Sequence, residues 1–428
     1  MKRRWLSASG TTDASSATRH HGRPDPVGWP RLLTSAAAVT VTAAVVTIVL
    51  SAVEPVLPRV LPDYAGWLAT AYGTVGSFIR WFLGDMTDAE FFKTGLGGVG
   101  MLTGGALAHL AWRRRSRFAG FPISYGTGLW PWIVASATIG LLGSDLVWGW
   151  TLPTTGVWQP TFVPFVSVPP AVVLVYGAGW TVALTGAGLG VVLTTPVSLL
   201  VVNYFCYPLH LPTVIGNVTG MWAGALIAFL LCRHLRWMPE PATAGGGDVG
   251  QEDVTEADRI VTTLSKQGPA WVARRVLADF TEAQFYGTEL ASVGLIGGTL
   301  LAFLLNPSLP SYGSGLWPTV LFAQVLTATI GVLLWRHRWA QAGWFPTFVP
   351  VVSVAPAAVL TFGATPQAVI AGAALGAVFG PPVAAWVASK LPADFHPYIG
   401  NVVSMTVCTV IIIPILSTLP GFPALGSG

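Results

Sequence analysis

Apolar residues fill this chain in long runs, and polar residues are confined to the short gaps between them. The first run, Leu32–Val53, follows a basic flank and is long enough to cross a hydrocarbon core of about 30 Å. A cleaved signal peptide has a shorter apolar core and a small-residue cleavage site, so this run reads as a retained span. Further runs cover 93–112, 127–145, 159–177, 180–205 and 214–232. A second set covers 287–305, 314–335, 345–363, 366–389 and 398–417. An amphipathic stretch precedes each set, at 62–84 and 257–280. The pattern predicts an all-α polytopic membrane protein with about eleven transmembrane helices.

The two sets are copies of one another. Met86-Thr-Asp-Ala-Glu-Phe-Phe92 returns as Phe280-Thr-Glu-Ala-Gln-Phe-Tyr286. Ser124-Tyr-Gly-Thr-Gly-Leu-Trp-Pro131 returns as Ser311-Tyr-Gly-Ser-Gly-Leu-Trp-Pro318. Pro160-Thr-Phe-Val-Pro164 returns as Pro346-Thr-Phe-Val-Pro350, and Ile215-Gly-Asn217 as Ile399-Gly-Asn401. The order is the same throughout. The expected organisation is a disordered cytoplasmic tail (1–30), a first span (31–56), a repeat (57–237), a Gly-rich acidic linker (238–256), a second repeat (257–418) and a short tail (419–428).

The few charges decide the expected topology. If the proline-broken segments at 159–177 and 345–363 cross the membrane, each repeat has five spans and the second is inverted. All 22 basic residues except Arg59, Arg80 and Lys93 then fall on the side of the N-terminus. If the segments dip and return, the basic residues divide evenly. Positive charge collects on the cytoplasmic side, so the first arrangement is preferred. It places the N-terminus inside, the C-terminus outside, and the chain in the plasma (inner) membrane.

Composition agrees. The 428 residues are 53% hydrophobic and only 9% charged, against about 25% in soluble domains. That excludes an ordinary soluble enzyme and a disordered chain. The net charge of +4 sits in short clusters, with no basic groove for nucleic acid. Cys206, Cys232 and Cys408 lie in apolar segments and read as packing residues. No cofactor or metal signature and no nucleotide or hydrolase motif is present, so the expectation is not an enzyme.

Inverted repeats with broken helices point to a solute pathway at their interface. Thr161 and Ser167, with twins Thr347 and Ser353, are candidates to line it, and a kinked helix bonding its own backbone is the rival reading. Asn217 and Asn401 must find partners away from lipid and are expected at matched positions. Thr127 and Ser314 are the SYGxGLWP residues closest to a pore mouth. Gly100-xxx-Gly104 and Gly294-xxx-Gly298 read as packing stripes. Glu289 is the one candidate for proton or ion coupling. Asp145 and His109 are expected to reach the interface. Asp85-Met-Thr-Asp88 with Glu90 matches the DxxD of metal-dependent prenyl-transfer enzymes in letters only, and reads as an outward, solvated helix start.

In layout, residues 85–418 resemble the urea-transporter class, which has two inverted five-span halves with pore-lining half-helices. The first span and the amphipathic stretches depart from it, and no binding residue is carried over. The expected function is a transporter or channel-like facilitator for a small neutral polar solute. The alternatives are a coupled transporter using Glu289, and a scaffold or lipid-handling protein whose amphipathic stretches lie in the interface. Expected partners are the bilayer, the solute and a possible second copy of the chain.

Overall fold

The computed structural model describes residues 28–241 and 256–425, without the side chains of 256–259. The expected tail before Gly28 and most of the expected linker lie outside the described residues. Those described form helices and turns, with no strand. Among the described residues, seven helices are long and apolar enough to cross a membrane. The chain is an α-helical membrane protein.

The first half holds α1 (Trp29–Val53), α2 (Tyr64–Thr70), α3 (Val75–Asp85), α4 (Gly95–Arg113) and α5 (Trp130–Trp148). Next come α6 (Thr151–Thr155), α7 (Val168–Tyr176), α8 (Trp180–Leu189), α9 (Thr195–Val201) and α10 (Val214–Cys232). The second half holds α11 (Glu256–Lys266), α12 (Pro269–Ala278), α13 (Glu289–Leu305), α14 (Trp317–Leu334) and α15 (Arg336–Ala342). It ends with α16 (Val354–Phe362), α17 (Pro366–Ala388) and α18 (Tyr398–Ser417).

Local chemistry sets these limits. Thr94 caps α4 by accepting from the Gly97 amide, and Thr365 caps α17 by accepting from Ala368. Pro196 follows a π turn (Gly190–Thr194), where a proline lacks the donor that continues the ladder. Trp148 donates to the Val191 carbonyl inside that turn at 2.9 Å. Trp335 donates to Ala377 in α17 at 2.8 Å.

The proline-broken segments are two-part elements. A 3₁₀ turn (Val163–Val166) meets α7 at Ser167, whose φ and ψ of −138° and −114° interrupt the helix. Val349–Val352 meets α16 at Ser353 with −146° and −95°. Both segments are buried except in the last turn, where Leu174, Val175, Leu360 and Thr361 are half-buried.

The two halves meet at α4 and α13. A methyl group on Gly100 would overlap the carbonyl of Gly294, and one on Gly294 would overlap that of Gly100. Gly104 likewise faces Leu290, and Gly298 faces Leu96. Later residues of one helix meet earlier residues of the other, so the pair runs antiparallel at backbone contact. The twin stripe on α8, the π turn that follows it and α17 (Gly186, Gly190, Gly372, Gly376) packs against the residues of the broken segments.

The amphipathic stretches bury one face in the core, at Trp67, Trp81 and Phe280, while Val75 and Ile79 stay exposed. Two expectations are corrected. Asp145 and His109 are buried within the protein and do not reach solvent. Tyr72 donates to Asp145, and His109 stacks between Trp112 and Trp130.

Outside the helices, Arg233 holds both carboxylate oxygens of Asp394 at 2.6 and 2.7 Å. Those hydrogen bonds keep the Asp394 carboxyl below its usual range. Such a group adds stability above the ordinary carboxylate range and loses it as pH falls through its own lowered value. Asp394→Asn is therefore expected to lower Tm in detergent at neutral pH, with the gap to wild type closing in acid. A gap that does not change with pH would contradict this.

Candidate functional site

Between the halves lies a cavity of about 300 Å³. Its wall is built from matched positions: Asp88 and Glu282, Phe91 and Phe285, Tyr125 and Tyr312, Phe162 and Phe348, Val166 and Val352, Asn217 and Asn401, Met221 and Met405. Most of the lining is apolar or aromatic. Asn217 is 6% exposed and its Oδ1 accepts no hydrogen bond. Asn401 is 6% exposed on the opposite wall. At one end Tyr125 is 43% exposed. At the other, Phe91, Thr213 and Tyr312 divide this cavity from a second one of about 520 Å³, which also touches His210, Leu360 and Leu425.

Two buried charge clusters reach the wall through Asp88 and Glu282. Asp85 closes α3 at its C-terminal end, where the helix dipole disfavours an acid. Lys93 offsets it by pairing with Asp85, and with Asp88 at 3.0 Å. Lys93 also sits 3.9 Å above the Trp81 ring. Asp88 accepts from Trp158 at 2.9 Å and from Tyr312 at 2.5 Å, and Asp85 accepts from Thr161 at 2.7 Å.

The second cluster repeats the first with its cation moved. Arg275 donates to Asp279 at 2.6 Å and to Glu282 at 2.5 Å. Glu282 accepts from Tyr125 at 3.0 Å, and Asp279 from Thr347 at 3.2 Å. In the aligned motifs, Arg275 stands where the first half has Trp81, and Gly287 where it has Lys93. One position supplies the cation in one half and a different position supplies it in the other.

The tyrosine–carboxylate bonds cross between halves. Backbone bonds reinforce them, from the Ser124 amide to the Tyr286 carbonyl at 2.9 Å and from Ser311 to Phe92 at 3.0 Å. Matched non-glycine residues adopt the left-handed region here, Ser124 and Tyr125 in one turn and Ser311 and Tyr312 in the other.

The acidic group at Asp85, Asp88 and Glu90 is thus a correction. It is neither outward nor solvated, and Lys93 is fully buried with it. The sequence signal was available: two acids recur at matched places in a chain with few charges.

The remaining candidates divide. Asn217 and Asn401 come together across the cavity. Thr161 and Thr347 stand behind it, on the carboxylates. Ser167 and Ser353 bond their own backbone, to Val163 at 2.6 Å and Val349 at 2.7 Å. Carbonyls of the broken segments also accept from α5 and α14: Ser136 donates to Pro169 at 3.2 Å, and Gln324 to Val351 at 2.9 Å. Thr127 and Ser314 are exposed and bond within their own turns. Glu289 accepts from Arg274 at 2.6 Å and from the Phe121 amide at 2.7 Å, away from the cavity wall. The three cysteines are buried, and among the described residues no cluster could hold a metal ion. Compared with known proteins, the chain matches no family model, no curated protein and no solved structure.

Proposed function

We propose that this protein is a membrane transporter or channel-like facilitator, and that a small neutral solute passes between two inverted five-helix repeats behind a first span. One observation carries the reading: a cavity is walled by matched residues of both halves and presents two buried carboxamides. The antiparallel meeting of α4 and α13 supports inversion. A twofold relation that reverses a membrane-crossing helix has its axis in the membrane plane. Secondary transporters built this way bind solute near the midplane, between the repeats. The distribution of basic residues supports a cytoplasmic N-terminus in an inner membrane. An aromatic wall with an unpaired acceptor suits a neutral solute that has an apolar face and a hydrogen-bond donor. A filled interface would have favoured the scaffold reading.

The test is uptake of radiolabelled neutral amides and polyols into proteoliposomes. Replacing both Asn217 and Asn401 by Leu is expected to reduce uptake of a transported solute by about tenfold or more, the scale of one lost buried hydrogen bond. The reading fails if no solute enters above protein-free liposomes, or if the double variant transports as wild type does.

A second reading, coupling to protons or ions, is favoured by one observation. The buried acids Asp85, Asp88, Glu90, Asp145, Asp279 and Glu282 outnumber the buried cations Lys93 and Arg275 around the cavity. Intramembrane acids are functional by default. Glu289 is held at the edge by Arg274, so the coupling candidates shift to this central set.

A further inference from the structure

Glu90, like Asp145, is a buried acid that belongs to neither charge cluster. It is 0% exposed, and among the described residues no Lys or Arg pairs with it. Lys93 is engaged by Asp85 and Asp88, and Arg275 by Asp279 and Glu282. The partner of Glu90 is an amide. Gln284 Nε2 lies 2.7 Å from both carboxylate oxygens. Gln284 is itself 1% exposed, and its Oε1 has no partner. Glu90 and Gln284 are also the same position of the recurring motif, so the pair sits where the two halves meet themselves.

We infer that Glu90 is a proton-binding site, a carboxylic acid that gains and releases a proton against Gln284. The inference deepens the coupled reading and takes its purpose, not its chemistry, from it. The orphaned Oε1 carries the argument. When Glu90 binds a proton, its new O–H donates to Oε1 while Nε2 donates to the other carboxyl oxygen. Both partners are then satisfied in a two-bond acid–amide ring, with no buried charge. When the proton leaves, the single Nε2 bridges both oxygens, as in this structure. The proton exchanges with water in the cavity, past the titratable groups that face Glu90. These are Asp88 on the same turn and Tyr312 from the opposite half. The other packed elements supply amides, Gln284 after α12 and Gln324 from α14, which donates to the Glu90 carbonyl at 3.0 Å. Because the pair joins the halves, its protonation state bears on how they sit against each other.

Infrared difference spectra of the full chain in nanodiscs, taken between acid and alkaline pH, test this without any solute. The expected result is a protonated-carboxyl carbonyl band in wild type that disappears with base. Glu90→Gln, which keeps the size and makes an amide–amide pair, is expected to lose that band component. Glu90→Asp, a second variant in case the first does not fold, is expected to retain the band at a shifted frequency. A Glu90→Gln spectrum identical to wild type, or a Glu90→Asp band that does not shift, overturns the proposal. Failed transport in proteoliposomes would sink the function proposed above and leave this result untouched.

Discussion

Lys93→Gly is expected to leave a chain that cannot be recovered as a monodisperse folded protein. The substitution removes the cation from between Asp85 and Asp88 and leaves two buried acids without a counter-charge. Breaking a buried pair from one side destabilises by about 3–5 kcal/mol, a large part of the stability of a typical domain. Backbone strain works in the opposite direction. Lys93 is held at φ 48°, which glycine adopts freely, so the loss comes from the missing charge and the buried space its side chain filled. The second half suggests the rescue. It places its cation at Arg275 and glycine at Gly287, so Trp81→Arg combined with Lys93→Gly reproduces its arrangement in the first half. The double variant is expected to regain a sharp size-exclusion peak and most of the wild-type Tm. If Lys93→Gly alone behaves as wild type, or if Trp81→Arg rescues nothing, the charge exchange between the two positions is wrong.

The next largest effect is expected at Gly100. An alanine there puts a methyl group into the Gly294 carbonyl, and a backbone atom cannot swing aside as a side chain can. Helix α4 must then part from α13. Overpacking of this kind destabilises by about 1–3 kcal/mol, and Gly294→Ala is expected to match it from the other side. Gly297→Ala is the control, since nothing lies within 4 Å of its added carbon on the same helix. Thermal unfolding in detergent should show a clear fall in Tm for both contact variants and little change for the control. Equal falls at Gly100 and Gly297 would mean that the close contact does not set the effect, since helix propensity alone favours alanine at both.

Much of the architecture was legible in the pattern of apolar runs. The run expected at 214–232 is α10 to the residue, and the run at 398–417 is α18. The break in each Pro-Thr-Phe-Val-Pro segment follows from prolines that lack donors, and it falls at the serine of each copy. The asparagines were found because a carboxamide has no place in lipid. The charge clusters were misread for a physical reason. Asp85 and Asp88 were weighed against their neighbours in sequence, where a helix start suits an acid. Their partners come from far along the chain: Thr161, Trp158 and Tyr312 reach them across 76, 70 and 224 residues. The cations escaped because motif comparison aligns positions, whereas Lys93 and Arg275 share a role from different positions. Thr161 and Thr347 were rightly matched as twins, but apolar periodicity could not say that they bind carboxylates behind the cavity wall.

The crossed turns have a consequence for how the chain is made. The turn at Ser124–Gly126 takes its backbone partner from Tyr286 and its side-chain partner from Glu282. The segment at Val60–Tyr64 waits for Leu305 and Ser308. Helix α1 is held by Pro269 and Pro318, through Ser35 and Thr47. A ribosome that has delivered the first half has therefore delivered an unfinished object, with its turn unpinned and its first helix lacking its neighbours. Completion waits for the second half, and a nascent chain stalled between the two should be a ready substrate for membrane quality-control proteases.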